Sequence, residues 1–249
     1  MTTQRWSNAF TYHASYVWSK TIDTGGWSDT VYRVPYKYVD LGDRTNRFTF
    51  NGVWHVPVGR GRRFLGNSNR LLDAAVGGWI FSPVYIYERG TPWGLPGNIE
   101  LLKVQHYGVH RTVEGGVPLI RGTGHCIEQY DPTTWQLELV PGSRTDGCSV
   151  GNADFRVKPP YAVNQDYVDT GIRQPNYQQL DLSASKSFPL WRDTKLEIRL
   201  DGYNILNHPT WDEGYWGDPS DPHFGTLNMI YTSQSNVQRQ IQLAGKITW

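Results

Sequence analysis

The stretch KLEIRLDGYN, residues 195–204, decides the fold because its two alternating sets of side chains differ in chemistry. One set is charged and consists of Lys195, Glu197, Arg199 and Asp201. The other set is aliphatic or glycine and consists of Leu196, Ile198, Leu200 and Gly202. Successive side chains of a β-strand point to opposite faces, so this stretch is predicted to be a strand with one apolar and one charged face. Lipid on one side and a watery lumen on the other would explain both faces.

Period-two alternation recurs along the chain. Besides residues 195–204, it is found at residues 6–18, 48–58, 79–88, 177–188 and 237–249, which makes six predicted strands. The connections between these six strands alternate in length, and the long ones (residues 21–45, 90–176 and 207–236) are rich in Gly, Pro, Trp and Tyr. One elaborated rim and one trimmed rim are typical of bacterial outer-membrane barrels. We therefore predict an all-β fold, an antiparallel up-and-down meander of about six strands that forms a partial transmembrane β-barrel with long extracellular loops.

Composition narrows the function classes. The chain has 249 residues and a net charge of +1, which argues against nucleic acid as a partner. It contains 11 Trp and 15 Tyr but no apolar run of the roughly 18 residues that a membrane helix needs. The start, MTTQRWSNAF, lacks the basic and apolar blocks of a secretion signal, which indicates either a cytoplasmic protein or the tail of a longer one.

Six segments, taken in order, resemble the C-terminal barrel region of TonB-dependent outer-membrane receptors, and the Oar-like branch most of all. They are ASYVWSKTID (14–23), RFTFNGVWHVPVGRGRRF (47–64), GGWIFSPVYIYERGTPW (77–93), YQQLDLSASKSF (177–188), LEIRLDGYNILNHPTW (196–211) and RQIQLAGKITW (239–249). The resemblance covers most of the chain outside the long outer loop, about residues 91–176. It implies a cell outer-membrane location and uptake of a bulky, unknown extracellular ligand through a barrel of about 22 strands.

Such a receptor also has a plug domain, which residues 1–249 do not resemble. Six strands cannot close around a plug, and an open sheet leaves unpaired edges in lipid. We therefore expect the chain to be the C-terminal segment of a receptor barrel that is inactive in transport by itself. Its expected partners are the plug and N-terminal strands of the receptor, outer-membrane lipid and the barrel-assembly machinery.

The end of the chain resembles the signal that the barrel-assembly machinery reads. Apolar residues alternate towards a terminal aromatic residue, and a small residue accompanies them. The residues that carry this signal are Ile241, Leu243, Ala244, Ile247 and Trp249. Alanine stands at position 244, where glycine is commoner in that pattern.

The long connections hold the other candidate residues. Cys126 and Cys148 either form one loop disulfide in an oxidising compartment or remain two thiols. Aromatic side chains in these loops would either stack against a ligand or pack against one another. The candidates for ligand contact are Trp93, Trp135, Trp211 and Trp216, and Trp27 and Tyr215 share their setting.

Sites of other kinds are less favoured by the sequence. No serine–histidine–aspartate set or phosphate-binding loop is visible, so we expect neither an enzyme nor a cofactor. His13 and His55 lack a third metal ligand, and His106, His110, His125 and Cys126 match no structural zinc spacing. Asp212, Glu213, Asp218 and Asp221 match no calcium loop. Arg60, Arg62, Arg63 and Arg70 form a basic cluster that is expected to face solvent or lipid headgroups.

Two other functions remain open at this stage. A secreted, soluble all-β module would bind carbohydrate through exposed tryptophans, and a small passive barrel or adhesin would have only a structural role. The first alternative requires a different environment for the apolar strand faces. A soluble module would bury them between two layers of the same molecule.

Overall fold

The computed structural model describes residues 2–6, 9–27, 35–95, 99–102, 117–118, 126–143, 147–159, 167–208, 226–227 and 238–249. Over these ranges the chain forms β-strands and one short helix. The elements are β1 (Thr2–Trp6), β2 (Phe10–Trp18), β3 (Ile22–Trp27), β4 (Pro35–Val39), β5 (Asn46–His55), α1 (Arg70–Val76), β6 (Trp79–Glu88), β7 (Pro92–Leu95), β8 (Ile99–Leu101), β9 (Val117–Pro118), β10 (Ile127–Tyr130), β11 (Leu137–Leu139), β12 (Phe155–Val157), β13 (Tyr167–Arg173), β14 (Tyr177–Trp191), β15 (Thr194–Tyr203), β16 (Thr226–Leu227) and β17 (Gln240–Thr248).

Seven strands form one large sheet in the order β1-β2-β5-β6-β14-β15-β17. Every neighbouring pair is antiparallel, and the spatial order follows the chain order, which confirms the predicted up-and-down meander. Strands β1 and β17 are its edges, and within the described residues they do not pair with each other. The sheet is therefore open, as expected for part of a barrel wall.

The start of the sheet differs from the prediction. Residues 6–18 were predicted to be one strand, but the chain turns between Trp6 and Phe10, and these two residues are register partners in the β1–β2 hairpin. The alternation continues across the turn, so the pattern alone did not reveal it. The sheet consequently has seven strands rather than about six.

The two rims of the sheet differ in length of connection, as predicted. At one rim the strands are joined by residues 7–9, 56–78 and 192–193, and at the other by residues 19–45, 89–176 and 204–239. Helix α1 lies in the 56–78 connection and was not predicted. The side chain of Asn69 caps it by accepting a hydrogen bond from the Leu72 N–H at 2.8 Å. We call this side of the sheet the short-turn rim and the opposite side the long-loop rim.

Smaller sheets occupy the long connections. Strands β3 and β4 form a hairpin in the first, while β7 pairs with β13 and β9 with β16. In the second long connection β8, β10, β11 and β12 form a four-stranded sheet in the order β11-β10-β12-β8. Its central pair, β10 with β12, is parallel. We call this four-stranded sheet with its flanking turns, residues 99–102, 126–143 and 147–159, the loop platform.

Candidate functional site: the two-faced wall and the loop platform

The register of the large sheet places apolar side chains in rows that run across its strands. One row contains Phe10, Trp54, Phe81, Ala184, Leu200 and Leu243. A second row, of Ala14, Phe50, Tyr85 and Leu180, runs in parallel nearer the long-loop rim. Rings in neighbouring strands contact each other, for example Trp54 and Phe81 with centroids 6.1 Å apart. The alternation predicted from sequence therefore forms one continuous apolar face.

In the described part of the chain no second sheet covers this apolar face, and helix α1 contacts it only at the short-turn rim, through Trp79 and Lys186. The contacts of the large sheet run between strands that are neighbours within it. Large apolar side chains on the face are exposed to 43% at Trp54, 45% at Leu200 and 72% at Leu243. A soluble sandwich would bury these side chains, so the face needs an apolar environment from outside the sheet.

The opposite face of the sheet is mostly polar, although β6 places Ile80, Val84 and Ile86 on it. Gln179 donates from Nε2 to both carboxylate oxygens of Asp181 at 2.9 Å, and Asp181 accepts the backbone N–H of Asn204 at 2.8 Å. Arg199 donates from Nε to Asp201 at 2.8 Å, although they lie two residues apart on one strand. Charged and amide side chains of this face are thus hydrogen-bonded to one another, which suits a hydrated lumen.

The terminal strand β17 is fully paired on one side and open on the other. It pairs with β15 from Tyr203↔Gln240 to Lys195↔Thr248. Ile241, Leu243 and Ile247 lie on the apolar face and are exposed, whereas Ala244 lies opposite Arg199 on the polar face. Trp249 follows the strand and is 91% exposed. The predicted signal residues thus lie on an accessible edge strand at the short-turn rim.

The loop platform is held by a buried ion pair and a disulfide. Glu128 is fully buried, and its Oε1 accepts hydrogen bonds from Arg156 Nε at 2.8 Å and Nη2 at 2.6 Å. Burial alone would lower the pKa of Arg156, but the hydrogen bonds and charge of Glu128 outweigh it, and the pKa is raised. Cys126 and Cys148 are joined by a disulfide, with their Cα atoms 5.5 Å apart.

A second ion pair joins the first long connection to the end of the second. Asp43 is completely buried, and its carboxylate accepts from Arg173 Nη2 and from the Thr21 N–H, both at 2.8 Å. Arg173 also donates to the Gly90 carbonyl at 3.0 Å. Burial would raise the pKa of Asp43, but these hydrogen bonds outweigh it and the pKa is lowered. We call Asp43 and Arg173 the loop latch.

Of the predicted ligand-contact tryptophans, Trp135 is the one whose side chain the structure describes. It is 50% exposed and has a positive φ of 59° in the turn that follows β10. Asp131 fixes this turn by accepting the backbone N–H groups of Thr133 at 2.7 Å and Thr134 at 2.8 Å. Those N–H groups, with Thr134 first, lower the pKa of the Asp131 carboxyl. The side chain of Trp93, and the whole of Trp211 and Trp216, lie outside the described residues.

The remaining candidate residues are histidines, acidic residues and the basic cluster. His13 is opposite Asn51 and His55 is opposite Ile80, so the two imidazoles are not register partners. Histidines 106, 110 and 125 and the acidic residues 212, 213, 218 and 221 lie outside the described residues. Nothing in the described ranges groups three or more His, Cys, Asp or Glu side chains into a possible metal site. Arg60, Arg62, Arg63 and Arg70 all lie in the connection that contains α1 and are exposed.

One structural feature was missed by the sequence interpretation. Lys186 lies on the apolar face, opposite Trp79 and Ile198, and is only 5% exposed. Its ammonium group donates to the carbonyl oxygens of Asp73 at 3.1 Å and Ala74 at 2.5 Å at the end of α1. The sequence did contain a signal for this feature, because Lys186 interrupts the alternating apolar residues of β14.

Comparison with known proteins agrees with the two-faced sheet. Across the described ranges, no helix is long and apolar enough to cross a membrane. Comparison with curated proteins and with solved structures found no match. The sequence model of a family described as "Outer membrane beta barrel domain" matches residues 1–242, which is nearly the whole chain. The apolar face is therefore the lipid-facing side of a wall in the cell outer membrane, and the chain belongs to the family of outer-membrane β-barrel domains.

Proposed function

We propose that this wall is part of a TonB-dependent receptor of the Oar-like branch, which takes up a bulky ligand at the cell surface. The observation that carries the proposal is the difference between the two rims. The described part of residues 89–176 includes a disulfide-bonded sheet, whereas residues 192–193 are a two-residue turn. A receptor needs ordered loops on the side from which the ligand arrives, and a purely structural barrel does not.

The loop platform supplies the surface that such a ligand would contact. Its buried Glu128–Arg156 pair and its disulfide hold the turn after β10, which presents the half-exposed indole of Trp135. Aromatic side chains fixed in ordered loops bind ligands at a low cost in conformational entropy. Trp135 is therefore our proposed ligand contact among the described residues.

The open edges of the sheet determine which partners the proposal requires. Unpaired backbone groups at a sheet edge are very unfavourable in hydrocarbon, so β1 and β17 need neighbouring strands in the membrane. In our proposal these strands and a plug domain come from the same receptor. We also propose that the chain has no enzymatic activity and that its contribution is a wall and a binding surface.

A photo-crosslinker at the free edge tests this proposal. We expect benzoylphenylalanine at Gln242, on the polar face of edge strand β17, to crosslink in outer membranes to a polypeptide that contains a plug domain. The matched position is Thr49, on the same face of β5, where the neighbours are β2 and β6 of this chain. Thr49 should give crosslinks within the chain only.

Two results would contradict the proposal. Crosslinks from Gln242 to a second copy of this chain would indicate a barrel built by self-association. Crosslinks to barrel strands without any plug would indicate a passive barrel. Either result leaves the outer-membrane assignment intact and removes the receptor function.

The role of the C-terminal residue is tested by its deletion. If the barrel-assembly machinery binds β17 through its terminal aromatic side chain, removal of Trp249 should reduce the assembled fraction in outer membranes. Removal of the exposed Trp191, as Trp191→Ala at the same rim, is the control because it changes aromatic content but not the terminus. Normal assembly without Trp249 would exclude the signal function.

A further inference from the structure

A basic pocket lies at the short-turn rim, between the connection that contains α1 and the end of β14. Its volume is about 670 Å³. Its charged lining residues are Arg60, Arg62, Arg70, Lys186 and Asp73, which gives four cations against one carboxylate. The whole chain has a net charge of only +1, so this is a strong local concentration of positive charge. We call it the rim pocket.

The single carboxylate does not neutralise the arginines. Asp73 Oδ1 accepts the backbone N–H of Arg60 at 2.6 Å, which uses it to fix the turn. Gly59, with a φ of 120°, and Gly77 both lie against this carboxylate, where a Cβ would collide with it. Throughout the described ranges no acidic group forms an ion pair with Arg60, Arg62 or Arg70. Their guanidinium groups can therefore bind an anion from outside the chain.

Lys186 adds a buried cation to the pocket. Two of its N–H bonds point to the carbonyl oxygens of Asp73 and Ala74, and an ammonium group has three such bonds. Carbonyl oxygens orient the charge without neutralising it. The ammonium also lies 5.0 Å from the ring centroid of Phe188 and 5.8 Å from that of Trp79. One donor of this ammonium group is thus left for a ligand, beside the lipid-facing aromatic side chains.

The surface around the rim pocket is apolar as well as basic. Phe64, Leu65 and Leu71 lie in the same connection as the arginines and are 54%, 52% and 84% exposed. Exposed apolar side chains beside arginines are typical of segments that lie in the headgroup region of a membrane. In outer-membrane barrels the short turns face the periplasm, so this rim meets the inner leaflet, which consists of phospholipids.

From this geometry we infer that the rim pocket binds the phosphate headgroup of an anionic phospholipid. Arg60, Arg62 and Lys186 contact the phosphate oxygens, and Arg70, which also lines the pocket, adds positive charge. The acyl chains of the same lipid lie along Phe188 and the apolar face above it. This site is independent of the ligand taken up at the opposite rim, because it lies at the short-turn rim.

Native mass spectrometry of the protein extracted from outer membranes in a neutral detergent tests this inference. We expect the wild-type chain to retain or bind phosphatidylglycerol in preference to phosphatidylethanolamine. The double variant Arg60→Gln/Arg62→Gln should weaken phosphatidylglycerol binding by about tenfold, since two charge-assisted hydrogen-bonding groups are lost. Lys186→Met provides a second variant, which should weaken binding in the same direction.

The matched control is Arg192→Gln/Lys195→Gln, which removes two exposed charges from the same rim outside the pocket. Equal loss of binding in the control and pocket variants would overturn the inference in favour of diffuse attraction to the rim. Absence of any preference for phosphatidylglycerol would also overturn it. Displacement of the lipid by millimolar inorganic phosphate would show a free-anion site and exclude the lipid as occupant. None of these outcomes depends on whether the chain belongs to a TonB-dependent receptor.

Discussion

Among the side chains that the structure describes, the buried ones of the seven-stranded sheet are Gln179, Lys186 and Asp201, whereas those of the loop platform include Ile99, Ile127 and Phe155. The sheet therefore buries polar groups and exposes Leu200 and Leu243, while the platform has the apolar core of a water-soluble protein. Both regions are β-structure. They differ in their surroundings, since the apolar face of the sheet faces lipid and the platform folds in water.

This difference has a consequence for stability. Burial of apolar surface stabilises the platform in water, together with its disulfide and its Glu128–Arg156 pair. The sheet has no comparable interior in the described residues, so its apolar side chains are stabilised by lipid. A perturbation of one region should therefore leave the other region unchanged.

The largest effect is expected from Phe155→Ala in the platform. Phe155 is 2% exposed, and truncation of a buried phenylalanine costs about 3–5 kcal/mol through lost burial and the cavity left behind. Limited proteolysis of the assembled protein should show rapid cleavage within residues 126–159, while the lipid-embedded sheet remains assembled. Val150→Ala, at a position 47% exposed in the same platform, should leave cleavage unchanged. Loss of sheet assembly in Phe155→Ala would show that the two regions fold together.

Removal of the disulfide should have the next largest effect. Cys126 and Cys148 are 22 residues apart, and a cross-link that closes a loop of this length contributes about 3 kcal/mol. In Cys126→Ser/Cys148→Ser, amide hydrogen exchange of β10 and β12 should accelerate, and that of β14 and β15 should not. Reduction of the wild-type protein with dithiothreitol should reproduce the result. Unchanged exchange in the platform would mean that its core and ion pair suffice.

The sequence predicted the sheet better than the platform for a physical reason. A long strand with two different solvents on its faces repeats one pattern over many residues, as in Leu196–Leu200 against Lys195–Arg199. In the platform β8 and β12 have three residues each, which is too short for a period to be recognised. Its central pair is parallel and joins segments far apart in sequence, and a buried Glu128 interrupts any apolar pattern.

The candidate site shows the same limits. Alternation identified which face would meet lipid, but it could not reveal the turn between Trp6 and Phe10 because the pattern continues through it. Pairings such as Asp43 with Arg173 join residues 130 positions apart, and no local pattern predicts them. Lys186 was visible as a charge among apolar residues, yet its contact with α1 depends on a helix that sequence analysis did not predict.

A matched pair of arginine substitutions sharpens the difference between the two faces of the sheet. Leu200 and Val84 are exposed to 45% and 43%, but Leu200 lies on the apolar face and Val84 opposite Asp181 on the polar face. Leu200→Arg should cost about 2–4 kcal/mol in a bilayer, whereas Val84→Arg should stay within about 0.5 kcal/mol. Urea unfolding in lipid vesicles measures both. Equal effects would mean that lipid does not distinguish the faces.

The smallest effect is expected at the loop latch, where the ion pair is linked to pH. The pKa of Asp43 is lowered from its ordinary 3.8, so the folded state favours the carboxylate. Its contribution to stability is complete above that ordinary value and is lost as pH falls through the lower pKa of the folded state. Asp43→Asn removes the charge at every pH and should weaken the latch by about 1–3 kcal/mol, because Arg173 loses its ionised partner.

Hydrogen exchange of the Thr21 N–H, which donates to Asp43, measures the latch directly. In the wild-type protein this exchange, corrected for the intrinsic pH dependence of amides, should rise only in strong acid, whereas in Asp43→Asn it should be raised and flat with pH. Asp23→Asn makes the same change at an exposed carboxylate in the same connection and should behave as wild type. The latch joins two connections outside the sheet, so its opening should leave the exchange of β5 and β6 unchanged. If acid also raised the hydrogen exchange of β5 and β6, the loops and the sheet would open as one cooperative unit. The two regions would then differ in which side chains they bury, but they would not fold independently.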